Sequence, residues 1–156
     1  MKFICPLLVV ENIEKSRVFY ETVMLQKVKF DFGENIVFEG DFAIHQKEHF
    51  SKLIDIEKIN ISTKSNNSEL YFEEDALDDF ISRLNKADVI YVHNLKEQPW
   101  GQRVIRFYDP DMHIIEVGET MEAVAQRFLS KGLNVKDTAE RISMPVDFVE
   151  QVKCKI

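Results

Sequence analysis

The chain has no excess of positive charge. Its 20 lysines and arginines stand against 27 aspartates and glutamates, for a formal net charge of −7. Non-specific nucleic-acid binding needs a basic face that displaces counterions from phosphates, so that class is set aside. A membrane-crossing run is also missing. A spanning helix needs roughly 18 or more consecutive apolar residues, and the longest stretch here, FICPLLVV at 3–10, has eight. Cysteine is scarce: Cys5 and Cys154 lie near opposite ends and read as free thiols of a reducing compartment rather than a disulfide framework. Met1-Lys2 leads straight into an apolar segment with no cleavable signal pattern, which predicts a cytoplasmic protein.

What is present is a core. Of 156 residues, 45% are apolar and 12 are Phe, enough for one globular domain of ordinary size. The order of elements is written twice. Residues 3–46 read strand (FICPLLVV), helix (NIEKSRVFYETVM) and three strands (KVKFDF, NIVFEG, DFAIHQ). Residues 68–118 repeat that order as ELYFEE, DALDDFISRLNK, DVIYVHNL, QRVIRFYD and MHIIEVGE. The sequence therefore predicts an α+β fold of two tandem βαβββ modules. Each leaves an open sheet face, and burying these against each other would leave a cleft suited to a ligand.

Caps and periodicity support the assignment. Asn12 is placed to cap the first helix, with Ile13, Phe19, Tyr20 and Val23 on its apolar stripe. Asp75 is expected to cap the second, above a stripe of Ala76, Leu77, Phe80, Ile81 and Leu84. Along 102–108 the period of two sets Gln102, Val104, Arg106 and Tyr108 on one side, opposite Arg103, Ile105 and Phe107. Asp109-Pro110-Asp111 predicts a turn between strands. The connector at 47–67 is expected to hold a short helix around Phe50–Ile54 and a flexible SNNS tail.

At this point the residues resemble a known group. VVENIEKSRVFYETVM resembles the first strand-to-helix junction of the vicinal oxygen chelate superfamily: glyoxalase I, bleomycin-resistance proteins, fosfomycin-resistance enzymes and extradiol dioxygenases. RFYDPDMHIIEVGE is similar to that superfamily's closing hairpin, a DPDG turn before a strand that ends in Glu and an apolar residue. The likeness covers about residues 3–118 and implies paired βαβββ modules forming an open half-barrel cleft around one site, commonly in a homodimer. The fold serves many chemistries, so it does not name one.

The resemblance also implies positions for a divalent metal, one on the first and one on the fourth strand of each module. Here they fall on Cys5, His45, Glu69 and Glu116, a set that differs from the usual His- and Glu-rich ones in all but Glu116. Such a set suits zinc, and also manganese, nickel or iron. A lone carboxylate on an apolar strand needs a metal, an arginine or solvent, which makes Glu116 the leading candidate for a ligand and general base. Each residue also has a plainer reading: Cys5 as a small buried hydrophobe, His45 as a pocket histidine, Glu69 as an edge charge. His49, His93 and His113 read as surface or supporting groups.

A second cluster is EQPWGQRVIR at 97–106. Trp100, the only tryptophan, could stack a planar ligand while Arg103 and Arg106 hold a carboxylate or phosphate, with Tyr71 and Tyr91 as further lining. Alternatively Arg106 pairs with Glu116 or Glu69, making the site metal-free, and Trp100 plugs a barrel end or a dimer contact.

The sequence thus organises as 1–118 for the paired modules (3–46, connector 47–67, 68–118) and 119–156 for a helical extension. In the extension Gly132 stops the first helix, and two short helices divide near Ser143-Met144-Pro145. The spacing of Ala139, Ser143 and Val149 is similar to a helix-turn-helix, but Asp147 and Glu150 on the second helix argue against DNA. Two functions remain open. One is a metal-dependent lyase or isomerase acting on a small oxygenated molecule. The other is a metal-free small-molecule binder like the bleomycin-resistance proteins, using Tyr71, Trp100, Arg103 and Arg106.

Overall fold

The computed structural model describes residues 1–155. The repeat is realised in two four-stranded sheets with the same permutation of strands. The first module runs β1 (Leu7–Val10), α1 (Ile13–Thr22), β2 (Val28–Asp31), β3 (Asn35–Phe38) and β4 (Ala43–Gln46), with sheet order β1-β4-β3-β2. β1 is parallel to β4, with Val9 opposite His45, and β3 is antiparallel to β4, with Asn35 opposite the same histidine. After α2 (Lys47–Leu53) and a 3-10 turn at Lys58–Asn60 comes the second module. It has β5 (Glu69–Glu74), α3 (Leu77–Leu84), β6 (Tyr91–Glu97), β7 (Arg103–Tyr108) and β8 (Ile114–Glu119), ordered β5-β8-β7-β6. Helices α4 (Met121–Ser130), α5 (Val135–Ile142) and α6 (Val146–Lys153) complete the described chain.

The chain forms two compact units whose boundaries do not follow the sequence repeat. One contains residues 1–69 with 87–90 and 108–114; the other contains 70–86, 91–107 and 115–156. The turn that closes the second module therefore belongs to the unit of the first. Its carboxylates explain this. Asp111 accepts from the Glu11 backbone N–H at 2.7 Å and from Ser16 Oγ at 2.6 Å. Asp109 accepts from the Tyr20 hydroxyl at 2.8 Å, from His113 Nδ1 at 2.9 Å, and from the Asp111 and His113 backbone N–H groups. Ser16 and Tyr20 are fully buried, so these bonds satisfy polar groups that water cannot reach. Around them Tyr20, Phe38 and Phe42 form an aromatic core with ring centroids 4.7–5.5 Å apart.

In the other unit, apolar side chains pack around α3 and among helices α4–α6. Phe80 of α3 packs on Phe107 of β7 at 6.1 Å, with Leu77, Leu84, Ile115 and Val117 buried. Helices α4–α6 have a core of their own, Val124, Ala125, Phe128, Ala139, Ile142, Val149 and Val152.

Several expectations are corrected locally. β1 begins at Leu7 rather than residue 3, because Pro6 has no N–H for the ladder; its carbonyl still accepts from Ala43 N. Asp75 does not cap α3. Ala76 holds the cap position without a side-chain bond, and Asp75 accepts from Thr120 Oγ1 at 2.6 Å. The connector helix starts at Lys47, not near Phe50, since the Gln46 side chain caps it by accepting from His49 N. The division expected near Pro145 is present, with Pro145 at the N-cap of α6. The SNNS tail is tied down through Asn66, which accepts from the Tyr108 hydroxyl at 2.7 Å. Asn12 caps α1 as its type predicts, and Gly132, at φ +93°, follows α4.

Candidate functional site

The second sheet has two chemically distinct faces, separated by strand alternation. Toward α3, Arg103 reaches Asp78 and binds Glu119, which is 2% exposed. Arg127 of α4 grips the same Glu119 at 2.8 Å. Burial opposes the charge on Glu119, but its bonds to Arg127 and Arg103 outweigh that and hold its pKa below the ordinary carboxylate value. Arg103, expected as a ligand contact, is thus engaged with carboxylates on the helix side of the sheet.

The opposite face carries Glu116, Arg106, His93, Gln102 and Tyr71. Glu116 on β8 is buried and forms an ion pair with Arg106 on β7. Arg106 Nη1 also lies 3.2 Å from His93 Nε2. His93 Nδ1 faces the Asn94 carbonyl at 2.7 Å. A carbonyl can only accept, so the proton sits on Nδ1 and the neutral ring turns its Nε2 lone pair to the guanidinium. Two residues beyond Glu116, Gly118 leaves room for its neighbours. A Cβ there would stand 3.0 Å from Gln102 Nε2 and 3.3 Å from the Tyr71 ring and hydroxyl.

From this point a hydrogen-bonded row leads to Trp100. The indole Nε1–H donates to Gln102 Oε1 at 3.0 Å, and Gln102 Nε2 donates to the Tyr71 hydroxyl at 2.8 Å and the Glu119 carbonyl at 2.7 Å. Tyr71 in turn donates to Glu73 at 2.8 Å. Burial, then the bond to Glu73, raises the Tyr71 pKa, so the phenol remains a donor. Tyr71 and Trp100 are 48% and 42% exposed, leaving their rings available to a ligand.

The first module places different chemistry at the equivalent strand. His45 on β4 is buried, its Nδ1 3.2 Å from Asn35 Nδ2 and its Nε2 2.8 Å from His49 Nδ1, with the two rings stacked. The Asn35 amide is oriented by a second bond from the same Nδ2 to the Ile44 carbonyl. His45 Nδ1 therefore accepts, and Nε2–H donates to His49. Burial, and then the neighbouring His49, lower the His45 pKa, against an opposing pull from Glu34. Cys5 is half-buried ahead of β1. Glu69 opens β5 and lines a cavity of about 250 Å³ with Asn66, Asn67, Ser68 and Ile114.

Taken singly, His45 and Glu116 do not fit a metal ion. Both His45 nitrogens are engaged, and Glu116 faces a guanidinium that would repel a cation. Among the described residues no group of three or more His, Cys, Asp or Glu could hold one. Sequence reasoning missed Gln102, Glu119 and Arg127 as organisers and placed His93 only as a surface or supporting group. Alternation in 102–108 had already put Gln102 and Arg106 together and Arg103 opposite.

Comparison with known proteins agrees with this architecture. The family model of the glyoxalase-like domain matches residues 3–122. The chain belongs to that family, and with it to the vicinal oxygen chelate superfamily. A crystal structure of a protein of unknown function from Agrobacterium tumefaciens is 36% identical, with a TM-score of 0.69 over 77% of this chain and 94% of that one. A glyoxalase-related enzyme from Fulvimarina pelagi shares the fold at 17% identity and a TM-score of 0.65, covering 78% of this chain and 90% of that one. The fosfomycin resistance protein FosX from Mesorhizobium loti does so at 19% and 0.55, covering 76% and 92%. No curated protein sequence matches. Among the described residues no helix is long and apolar enough to cross a membrane.

Proposed function

We propose that the protein binds a small oxygenated molecule, without a metal ion, on the face of the second sheet that carries Glu116 and Arg106. The observation that carries this reading is the ion pair itself. A paired carboxylate and guanidinium present acceptors and donors side by side. A ligand hydroxyl can donate to Glu116 while an adjacent carbonyl or carboxylate oxygen accepts from Arg106. Vicinal oxygens thus match the site without an ion between them. His93 steadies the guanidinium, and Tyr71 and Trp100 offer aromatic surface for the carbon skeleton.

The test is a panel of 2-hydroxy acids, 2-oxo acids and vicinal diols, read by thermal stabilisation and Trp100 fluorescence with and without EDTA. A ligand at 100 times its Kd stabilises the fold by about 2.7 kcal/mol. The expected binder keeps its affinity in chelator and loses it in Arg106→Ala. A response that requires added zinc, manganese, nickel or iron, and disappears in folded Glu116→Gln, overturns the reading in favour of a metal-dependent enzyme.

Homodimerisation belongs to the same proposal. The exposed, stacked Phe30 and Phe32 of the first module support it, with ring centroids 6.0 Å apart. Sedimentation at the 18.3 kDa of one chain at micromolar concentration would remove it.

A further inference from the structure

The three C-terminal helices lie almost wholly beyond the residues that match the family, which end at 122. They have their own apolar core and would be expected to behave as an appendage. Their arginines indicate otherwise. The loop joining β6 to β7 is short, closed by Gln98 N to Gln102 O and by Gly101 N to Gln98 O, both at 2.8 Å. Trp100 stands at its tip. The two carbonyls that bracket it are both taken by the extension: Pro99 O accepts from Arg141 Nη1 and Gly101 O accepts from Arg127 Nη2, each at 2.5 Å.

The same two arginines converge on Glu97, where the loop begins, at 2.7 Å from Arg141 and 3.2 Å from Arg127. Between them lies Phe128 of α4, its ring 4.8 Å from the Arg127 guanidinium carbon and 5.1 Å from that of Arg141. Gly101 rests on that ring. With φ at +86°, it occupies backbone space that side chains rarely adopt, and a Cβ there would stand 2.6 Å from Phe128 Cε2. The loop and the extension are fitted to each other on both the polar and the apolar side.

We infer that the C-terminal helices are a positioning element of the candidate site, with Arg141 fixing the Pro99–Trp100 peptide group and Arg127 the Gly101–Gln102 peptide group, so setting the orientation of the Trp100 ring. Two carbonyls held by two separate helices leave the backbone of Trp100 and Gly101 between them little rotational freedom. The indole bond to Gln102 then passes that orientation to the Tyr71 row. The helices thereby couple the aromatic wall of the site to a segment outside the family's shared fold. The inference rests on the reading of Trp100 as ligand surface, but it concerns the order of the loop and is tested without a ligand.

The experiment is ¹⁵N relaxation on the full chain, reading the backbone amides of Trp100 and Gly101 and the single indole N–H. Arg141→Gln is the variant, since this side chain is 34% exposed and its loss spares the buried Glu119 cluster. Wild type is expected near the rigid backbone order parameter of about 0.85, and Arg141→Gln below about 0.6 at Trp100 and Gly101. The indole resonance should shift, and amides of 135–142 should remain ordered. Arg141→Lys, which can reach one partner but not both, should fall between. Unchanged order at Trp100 and Gly101 overturns the inference. So does a loss of order that spreads equally through α5, because that is general destabilisation rather than positioning. Failure of the ligand panel with an ordered, Arg141-dependent loop would leave this inference standing and remove the binding reading alone.

Discussion

On the fourth strand of the first module, His45 is buried with its two nitrogens engaged by Asn35 and His49. On the fourth strand of the second module, Glu116 faces the Arg106 guanidinium. The buried carboxylates that organise the two units differ in the same way. Asp109 and Asp111 are held by hydroxyls, backbone N–H groups and one histidine, whereas Glu119 is held by two arginines. One strand order thus supports a mainly hydrogen-bonded interior and an ion-paired one. The lesson is that the repeat conserves backbone geometry while the side chains at matching points remain free to differ, because either solution satisfies a buried polar group.

That contrast can be broken most forcefully at Glu119. Arg127→Met strips a partner from a buried carboxylate and is expected to lower the unfolding free energy by about 3–5 kcal/mol in urea titration. Replacing Glu119 and Arg127 together by Met should recover much of it. Equal loss in the single and double variants would show that the arginine stabilises by packing alone. On the other side, Asp109→Asn keeps the shape but weakens the bonds from Tyr20 and His113, for an expected loss of about 1–3 kcal/mol. A loss as large as that of Arg127→Met would erase the distinction between the two interiors.

A subtler effect separates two histidines by pH. Burial opposes charge on His113, but the hydrogen bond and attraction to Asp109, reinforced by Asp111, raise its pKa. Its contribution to stability is therefore fully present below about pH 6.5, the ordinary value, and is lost as pH rises through the folded pKa. His45 is lowered, chiefly by burial, so its contribution is present above about pH 6.5 and is lost as pH falls through the folded pKa. Urea midpoints of His113→Gln and His45→Gln from pH 5 to 9, each relative to wild type, should slope in opposite directions; parallel slopes would refute the assignment. The smallest effect expected is at the rim of the candidate site. Trp100→Ala should weaken a bound ligand by about 1 kcal/mol with little change in unfolding, and titration calorimetry distinguishes this from no effect.

Much of the fold was legible in the residues. The double βαβββ order, the Asn12 cap, the Asp109-Pro110-Asp111 turn and the division of the tail near Pro145 all follow from local chemistry, and the structure contains each of them. Errors arose where a side chain had a better distant partner than its local one. Asp75 has the type and position of a helix cap, yet it bonds Thr120, 45 residues away. Of the residues the sequence singled out, Glu116, Arg106 and Tyr71 lie on the face of the second sheet now proposed as the site, with Trp100 linked to it through Gln102, whereas Arg103 lies on the other face, as its strand parity dictates. Glu119 and Arg127 carry no sequence pattern that distinguishes them from solvated charges.

Taken alone, the sequence determined the period of each element, the repeat that dictates strand order, the net negative charge and the lack of a long apolar run. Those properties depend on near neighbours along the chain and survive any arrangement of the rest. Tertiary structure alone decided that the turn at 108–114 joins the unit of the first module, that Glu116 meets a guanidinium, and that two helices hold the carbonyls beside Trp100. These are pairings of polar groups far apart in sequence. A buried donor or acceptor must find a partner, but which of several chemically equivalent partners it finds is decided only when packing brings one of them within about 3 Å.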